Sequence, residues 1–122
     1  MTLVLVVDDE PSIRALLEVT LQMEGYEVVG ASDGETAMQL VTQRRPDVIT
    51  LDVMMPGMDG WEVARELEGS GIPIVIMSGM PLADLEDGAD HPNVAAVLGK
   101  PFDYKAFLEV VATSARTKAS AR

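Results

Sequence analysis

The sequence predicts an α/β sandwich built on a doubly wound parallel sheet, and three observations predict it. Short apolar runs rich in β-branched residues recur five times along the 122 residues. Stretches with apolar residues at helical spacing alternate with those runs. The connections are short, which suits right-handed crossovers between parallel strands. A chain of this length holds a real core in one domain. Residues 1–122 read as a single domain, with a core over about 3–115 and a polar tail or linker stub over 116–122.

Leu3–Val7 is continuously apolar, the pattern of a strand buried on both faces. Asp8-Asp9-Glu10-Pro11 ends it and opens a helix, because acids complement the helix dipole and proline tolerates the first turn. Ile13, Leu16, Leu17 and Leu21 then recur at helical spacing, with Thr20 in the same stripe, and Gly25 suits a C-terminal cap. Tyr26–Ala31 reads as the second strand and Ser32-Asp33-Gly34 as a turn. Ala37, Leu40 and Val41 mark the second helix, closed by Arg44, Arg45 and Pro46. Val48–Leu51 is the third strand, and Asp52 stands where it stops. Pro56, Gly57 and Gly60 break the backbone after it. Gly60, Val63, Ala64 and Leu67 give the third helix, ended by Gly69-Ser70-Gly71. Ile72–Met77 is the fourth strand and reaches Ser78-Gly79. Leu82, Leu85 and Ala89 hint at a short or irregular helix bracketed by Pro81, Gly88 and Pro92. Val94–Leu98 is the fifth strand, ending at Gly99-Lys100-Pro101-Phe102. Asp103 is a good N-cap for a last helix with Phe107, Val110 and Val111 inward. From Thr113 to Arg122 the chain turns polar and basic, as a frayed helix end, a tail or a linker stub.

Composition narrows the chemistry. Hydrophobic residues make up 48% of the chain, too many for disorder, and aromatics only 4%, so Val, Leu, Ile, Ala and Met fill the core. The absence of cysteine excludes disulfides and thiolate metal sites and fits a reducing compartment. Leu3–Val7 is too short for a signal sequence or a membrane span, and acids follow it. A cytoplasmic protein without membrane contact is therefore expected. The net charge of −11 repels phosphate backbones, so direct binding of nucleic acid is not expected, whereas divalent cations and basic surfaces suit it.

Four polar stations fall at the carboxyl ends of predicted strands: Asp8-Asp9, Asp52, Ser78 and Lys100. Ligands of doubly wound sheets bind at those ends. Carboxylates brought together repel, so a proton or a cation must offset them. An oxygen set without His or Cys suits Mg²⁺. Asp9 and Asp52 are the leading ligands, Asp8 acts directly or through water, and the backbone carbonyl of Met54 completes the set. Asp52 can then attack phosphorus and form an acyl phosphate. The metal and the Lys100 ammonium would offset charge on the transferring phosphoryl group. The Ser78 hydroxyl could donate to a phosphoryl oxygen, with Gly79 leaving room. Each station also has a structural reading: a helix start for Asp8 and Asp9, turn residues for Asp52 and Ser78, a surface lysine for Lys100. Trp61 and His91 read as structural or surface residues.

Together these residues resemble the receiver domain of two-component response regulators, from Leu3 to about Ala115. The motifs are Val6-Val7-Asp8-Asp9-Glu10 with Pro11, Asp52 with Met55-Pro56-Gly57-Met58-Asp59-Gly60, Ser78-Gly79, and Lys100-Pro101-Phe102. The resemblance implies a flavodoxin-like (βα)5 fold with strand order 2-1-3-4-5. It implies that Asp52 takes a phosphoryl group, with Mg²⁺, from a phosphohistidine on a sensor histidine kinase or histidine phosphotransfer protein. Ser78 would then reorient toward the phosphoryl group. Such a chain is a signalling phosphoprotein with slow autodephosphorylation, not a turnover enzyme. The resemblance leaves the output protein or effector domain unidentified and is compatible with a phosphorylation-dependent dimer.

Three features depart from the family pattern. Val97 stands where receivers usually carry an aromatic that swings inward with the hydroxyl. The fourth helix region is broken by Pro81, Gly88 and Pro92. No effector domain follows, so the chain is either a stand-alone receiver or a piece of a longer protein. Met54 and Met80 occupy the positions two after Asp52 and two after Ser78, which in the family influence attacking water, and thioethers orient water poorly. A long-lived phosphoryl group is expected. Two other readings remain open: a Mg²⁺-dependent phosphohydrolase with an aspartyl nucleophile, and a pseudo-receiver that only binds. The first needs a second acid or base and a cap insertion that this chain does not show. The second usually loses an acid or the lysine, and here all are present.

Overall fold

The alternation of apolar runs and helical stripes produces nine elements in the computed structural model, which describes residues 2–52, 60–78, 94–99 and 103–120, with all their side chains except those of 60, 61 and 116–120. The strands are β1 (Leu3–Val7), β2 (Glu27–Ala31), β3 (Val48–Asp52), β4 (Ile74–Ser78) and β5 (Val94–Gly99). The described helices are α1 (Pro11–Met23), α2 (Gly34–Gln43), α3 (Gly60–Glu66) and α4 (Tyr104–Ser120). The strands form one parallel sheet of order β2-β1-β3-β4-β5, the flavodoxin-like arrangement that the sequence predicts.

The central strands β1, β3 and β4 are buried at every residue, which is why they read as unbroken apolar runs and not as alternating ones. Alternate side chains divide between two cores. Leu5, Val7, Ile49, Leu51, Ile74 and Ile76 pack with Ala37 of α2, Val63 and Ala64 of α3, and Leu67 just beyond it. Val4, Val6, Val48, Val75 and Met77 pack on the other face with Leu17 and Leu21 of α1 and Phe107 and Val111 of α4. Fully burying each large aliphatic or Phe side chain contributes about 1.5–3 kcal/mol, so both layers are well anchored.

The helix ends follow their capping chemistry. Pro11 opens α1, and Gly25 closes it at φ +93°. The Tyr26 N–H bonds the Leu21 carbonyl at 3.2 Å and the Gly25 N–H bonds the Gln22 carbonyl at 3.0 Å, the paired pattern of a glycine-terminated helix. Tyr26 is thereby part of the helix exit, and β2 starts one residue later than the sequence suggests. Asp33 caps α2, its Oδ1 accepting from the Thr36 N–H at 2.7 Å, and this bond holds its carboxyl below the usual carboxylate range. Asp103 caps α4, as its position predicts, accepting from the Ala106 N–H at 2.7 Å. That last helix runs on through Ser120.

Further details differ from the sequence reading, among them the end of β5, which includes Gly99. Asp52 is the last residue of β3, not the residue after it, and pairs in register with Met77. Ile72 and Pro73 precede β4, because proline has no N–H for the sheet ladder; the Pro73 carbonyl instead accepts from the Ile49 N–H at 3.1 Å. Leu16 is 47% exposed although it shares the apolar repeat of α1, since Leu17 and Leu21 face the sheet and Leu16 lies to their side. The fourth helix region, residues 81–92, lies outside the described residues. Among the described residues, no helix is long and apolar enough to cross a membrane.

Candidate functional site

The site grows from the carboxyl ends of the two strands in the middle of the sheet. β1 pairs with β3 through Val7 and Leu51, so the residues that follow, Asp8 just beyond β1 and Asp52 at the end of β3, stand side by side. Asp8 is buried, Asp9 is partly buried and Asp52 is 6% exposed. One carboxylate oxygen from each of these three residues lies within 4.8 Å of the others.

The backbone around Asp8 is tied at three points. Its N–H donates to the Ala31 carbonyl of β2 at 3.1 Å. Its Oδ1 accepts from the Glu10 N–H at 2.9 Å, and its carbonyl accepts from Arg14 Nη1 at 2.9 Å. No residue in the first turn of α1 is acidic; Asp8 and Asp9 stand just before its N-cap residue Glu10, whose N–H is the one bonded to Asp8 Oδ1. A helix start does not by itself gather three carboxylate oxygens within 4.8 Å, whereas a cation would hold them together. A set of three carboxylate oxygens without nitrogen or sulfur is the donor chemistry that fits Mg²⁺.

Ser78 is fully buried at the end of β4 and pairs in register with Gly99, the last residue of β5. The structure thus brings Asp8, Asp9 and Asp52 together and sets Ser78 one strand over, just beyond the residue paired with Asp52. Lys100, Gly79, Met80 and the Met54 carbonyl lie outside the described residues, as do His91 and the side chain of Trp61. Val97 is partly buried and packs against the core shared with α2 and α3.

Two residues of this region carry no weight in the sequence reading. Arg14 grips the Asp8 carbonyl, and the available signal is that it is the one basic residue before Arg44. Thr50, two residues before Asp52 on the same face of β3, buries a hydroxyl that has no hydrogen-bond partner among the described residues. A threonine inside a strand run looks like ordinary β propensity, so nothing in the sequence marks it.

The family model described as "Response regulator receiver domain" matches residues 4–112. The chain belongs to the response regulator receiver domains. Among curated relatives of this receiver, a protein named "Probable transcriptional regulator ycf27" from Guillardia theta is 48% identical over 108 residues, which span 84% of this chain and 41% of that one. The chain spans less than half the length of the curated relatives it matches first. Among solved structures, the Vibrio cholerae chemotaxis protein CheY4 is 32% identical, with TM-score 0.86 over 93% of this receiver and 98% of that chain. The Thermotoga maritima response regulator TrrA, solved in complex with Mg²⁺–BeF, is 33% identical, with TM-score 0.84 over 93% of this receiver and 99% of that chain.

Proposed function

We propose that this receiver is a cytoplasmic phosphoacceptor whose Asp52 takes a phosphoryl group from a phosphohistidine on a sensor histidine kinase or histidine phosphotransfer protein. The observation that carries the reading is the convergence of Asp8, Asp9 and Asp52 at the carboxyl ends of β1 and β3. An Asp52 carboxylate oxygen forms a bond to phosphorus as the bond from phosphorus to the imidazole nitrogen breaks. The imidazole leaves with the electron pair and takes up a proton. Asp8 and Asp9, with Asp52 and the Met54 carbonyl, would hold Mg²⁺, which when bound offsets charge on the transferring group. The burial of Asp52 against β4 supports a preorganised acceptor, since a carboxylate fixed at a strand end needs little reorientation before attack. The ammonium of Lys100 supplies a second positive charge, and the Ser78 hydroxyl donates to a phosphoryl oxygen once the acyl phosphate forms. Residues 1–122 act as one receiver unit and pass the signal to an output domain or protein. A phosphorylation-dependent dimer is one form that output can take. The acyl phosphate decays slowly, and the chain performs no steady turnover.

The test is incubation with acetyl phosphate and Mg²⁺ followed by intact mass measurement. One phosphoryl adduct on the wild type and none on Asp52→Ala is the expected result. An adduct that survives the substitution overturns the acceptor assignment. Steady release of phosphate from a small phosphoester would point to the hydrolase reading, and the absence of any adduct to a receiver that only binds.

A further inference from the structure

Gly30 sits in β2 opposite Val6, on the face of the sheet that α1 covers. A Cβ there would collide with Glu18 Oε1 and stand 3.1 Å from Glu18 Cδ and 3.3 Å from Arg14 Cδ. The missing side chain therefore makes a seat in which the two α1 residues lie down against β2. Arg14 Nε faces Glu18 Oε1 at 3.7 Å, and Arg14 Nη1 donates to the Asp8 carbonyl at 2.9 Å. Both side chains are partly covered, at 23% and 31% exposure.

The Asp8 carbonyl and the Asp9 N–H belong to one rigid peptide plane. Holding that carbonyl restrains this plane, and the bond from the Glu10 N–H to Asp8 Oδ1 restrains the next one; the two planes together restrain Asp9 φ and ψ, and so the direction in which its side chain leaves the backbone. The preceding plane is fixed by the bond from the Asp8 N–H to the Ala31 carbonyl. We propose that Arg14, seated on Gly30 and steadied by Glu18, is a positioning residue that sets the Asp8–Asp9 backbone for divalent-cation binding. This rests on the metal-site reading above. Arg14 acts through the peptide that carries the ligands, by its bond to the Asp8 carbonyl.

Charge and geometry make opposite demands here. Arg14 is a cation beside a site that binds a cation, so its removal would tighten Mg²⁺ binding if only charge mattered. Removal weakens binding if the brace matters, by on the order of ten-fold, as for other groups that orient metal ligands. Lysine keeps the charge but has one nitrogen, which cannot bond the Asp8 carbonyl and face Glu18 as the guanidinium does.

Calorimetric titration of the unphosphorylated chain with MgCl₂ at fixed ionic strength, with urea denaturation of each variant, tests the proposal. R14A is expected to raise the Mg²⁺ dissociation constant about ten-fold, with R14K in between. G30A, which displaces the Glu18 carboxylate from its seat, weakens Mg²⁺ binding in the same direction while keeping the urea midpoint of the wild type. R14A binding Mg²⁺ as tightly as the wild type, or more tightly, overturns the brace and leaves the metal site standing. Should R14A not fold, wild-type affinity in both R14K and G30A overturns it equally. A wild type that binds no Mg²⁺ at millimolar concentration overturns the metal-site reading and the brace with it.

Discussion

Removing one charge from the acidic triad has an outcome that depends on the metal. The three carboxylate oxygens lie within 4.8 Å of one another. At an effective dielectric of ~20, two unit charges at that distance repel by about 3.5 kcal/mol. Asp52→Asn removes two of the three pairwise repulsions. The gain is smaller than their sum, because Asp9 is partly exposed and the side chains can turn apart, and because Asn cannot keep every hydrogen bond that Asp52 makes. A net stabilisation of about 1–3 kcal/mol is expected in EDTA. Saturating Mg²⁺ closes that gap. A ligand at one hundred times its dissociation constant adds about 2.7 kcal/mol to the stability of the form it binds. The wild type has all three carboxylates to bind it and gains most of that, whereas Asp52→Asn gains little. The assay is urea denaturation of both proteins in EDTA and in excess Mg²⁺. A variant less stable than the wild type in EDTA would refute the repulsion argument. An equal response of both proteins to Mg²⁺ would refute a role for Asp52 in holding the metal.

Other expected outcomes follow from single features. Thr50→Val exchanges a buried hydroxyl, without a partner among the described residues, for a methyl of the same shape and should stabilise the chain by about 1–2 kcal/mol. At about 4 °C per kcal/mol for a chain of this length, calorimetry would read a rise of roughly 4–8 °C. The Asp33 cap has its carboxyl held below the ordinary value of 3.8, chiefly by the Thr36 N–H. Its contribution is present above that value and is lost as pH falls through the lowered folded one. Asp33→Ala should thus melt below the wild type at pH 7, with the gap closing as pH falls beneath 3.8. Met54→Asn with Met80→Glu should shorten the acyl-phosphate lifetime several-fold, read by intact mass against time, because amide and carboxylate oxygens orient water where thioethers do not. Unchanged decay would remove the two methionines from the account of that lifetime.

Much of this architecture can be read from the residue string, for identifiable reasons. Leu3–Val7 and Ile74–Met77 are apolar on both faces, and only a sheet covered on both sides buries such runs, so strand identity and fold class come together. Gly25 and Asp103 advertise their roles because their chemistry at helix ends is local. Boundaries are less legible. Whether Asp52 closes a strand or follows it depends on Met77 in another strand, and whether Leu16 is buried depends on how α1 sits over the sheet. The acidic half of the site is legible because acids right after apolar strands have few other uses. The Arg14–Glu18–Gly30 contact is not. It joins a helix face to a glycine in a neighbouring strand, and neither residue type is unusual where it stands.

The register of the middle strands carries a cost in time. Val4 pairs with Val48, so β1 and β3 come together only by closing a loop of 44 positions (48 − 4). Asp8 and Asp52 are also 44 positions apart (52 − 8). No local turn or hairpin can bring them together sooner, and such non-local pairing slows folding. β1, the first strand made, ends up inside the sheet with a neighbour on each edge. Until β2 and β3 are synthesised, its five-residue apolar run waits with both edges open, the condition under which nascent chains stick to one another. The acidic cluster is therefore a late acquisition of the growing chain, assembled only once β1 and β3 have paired.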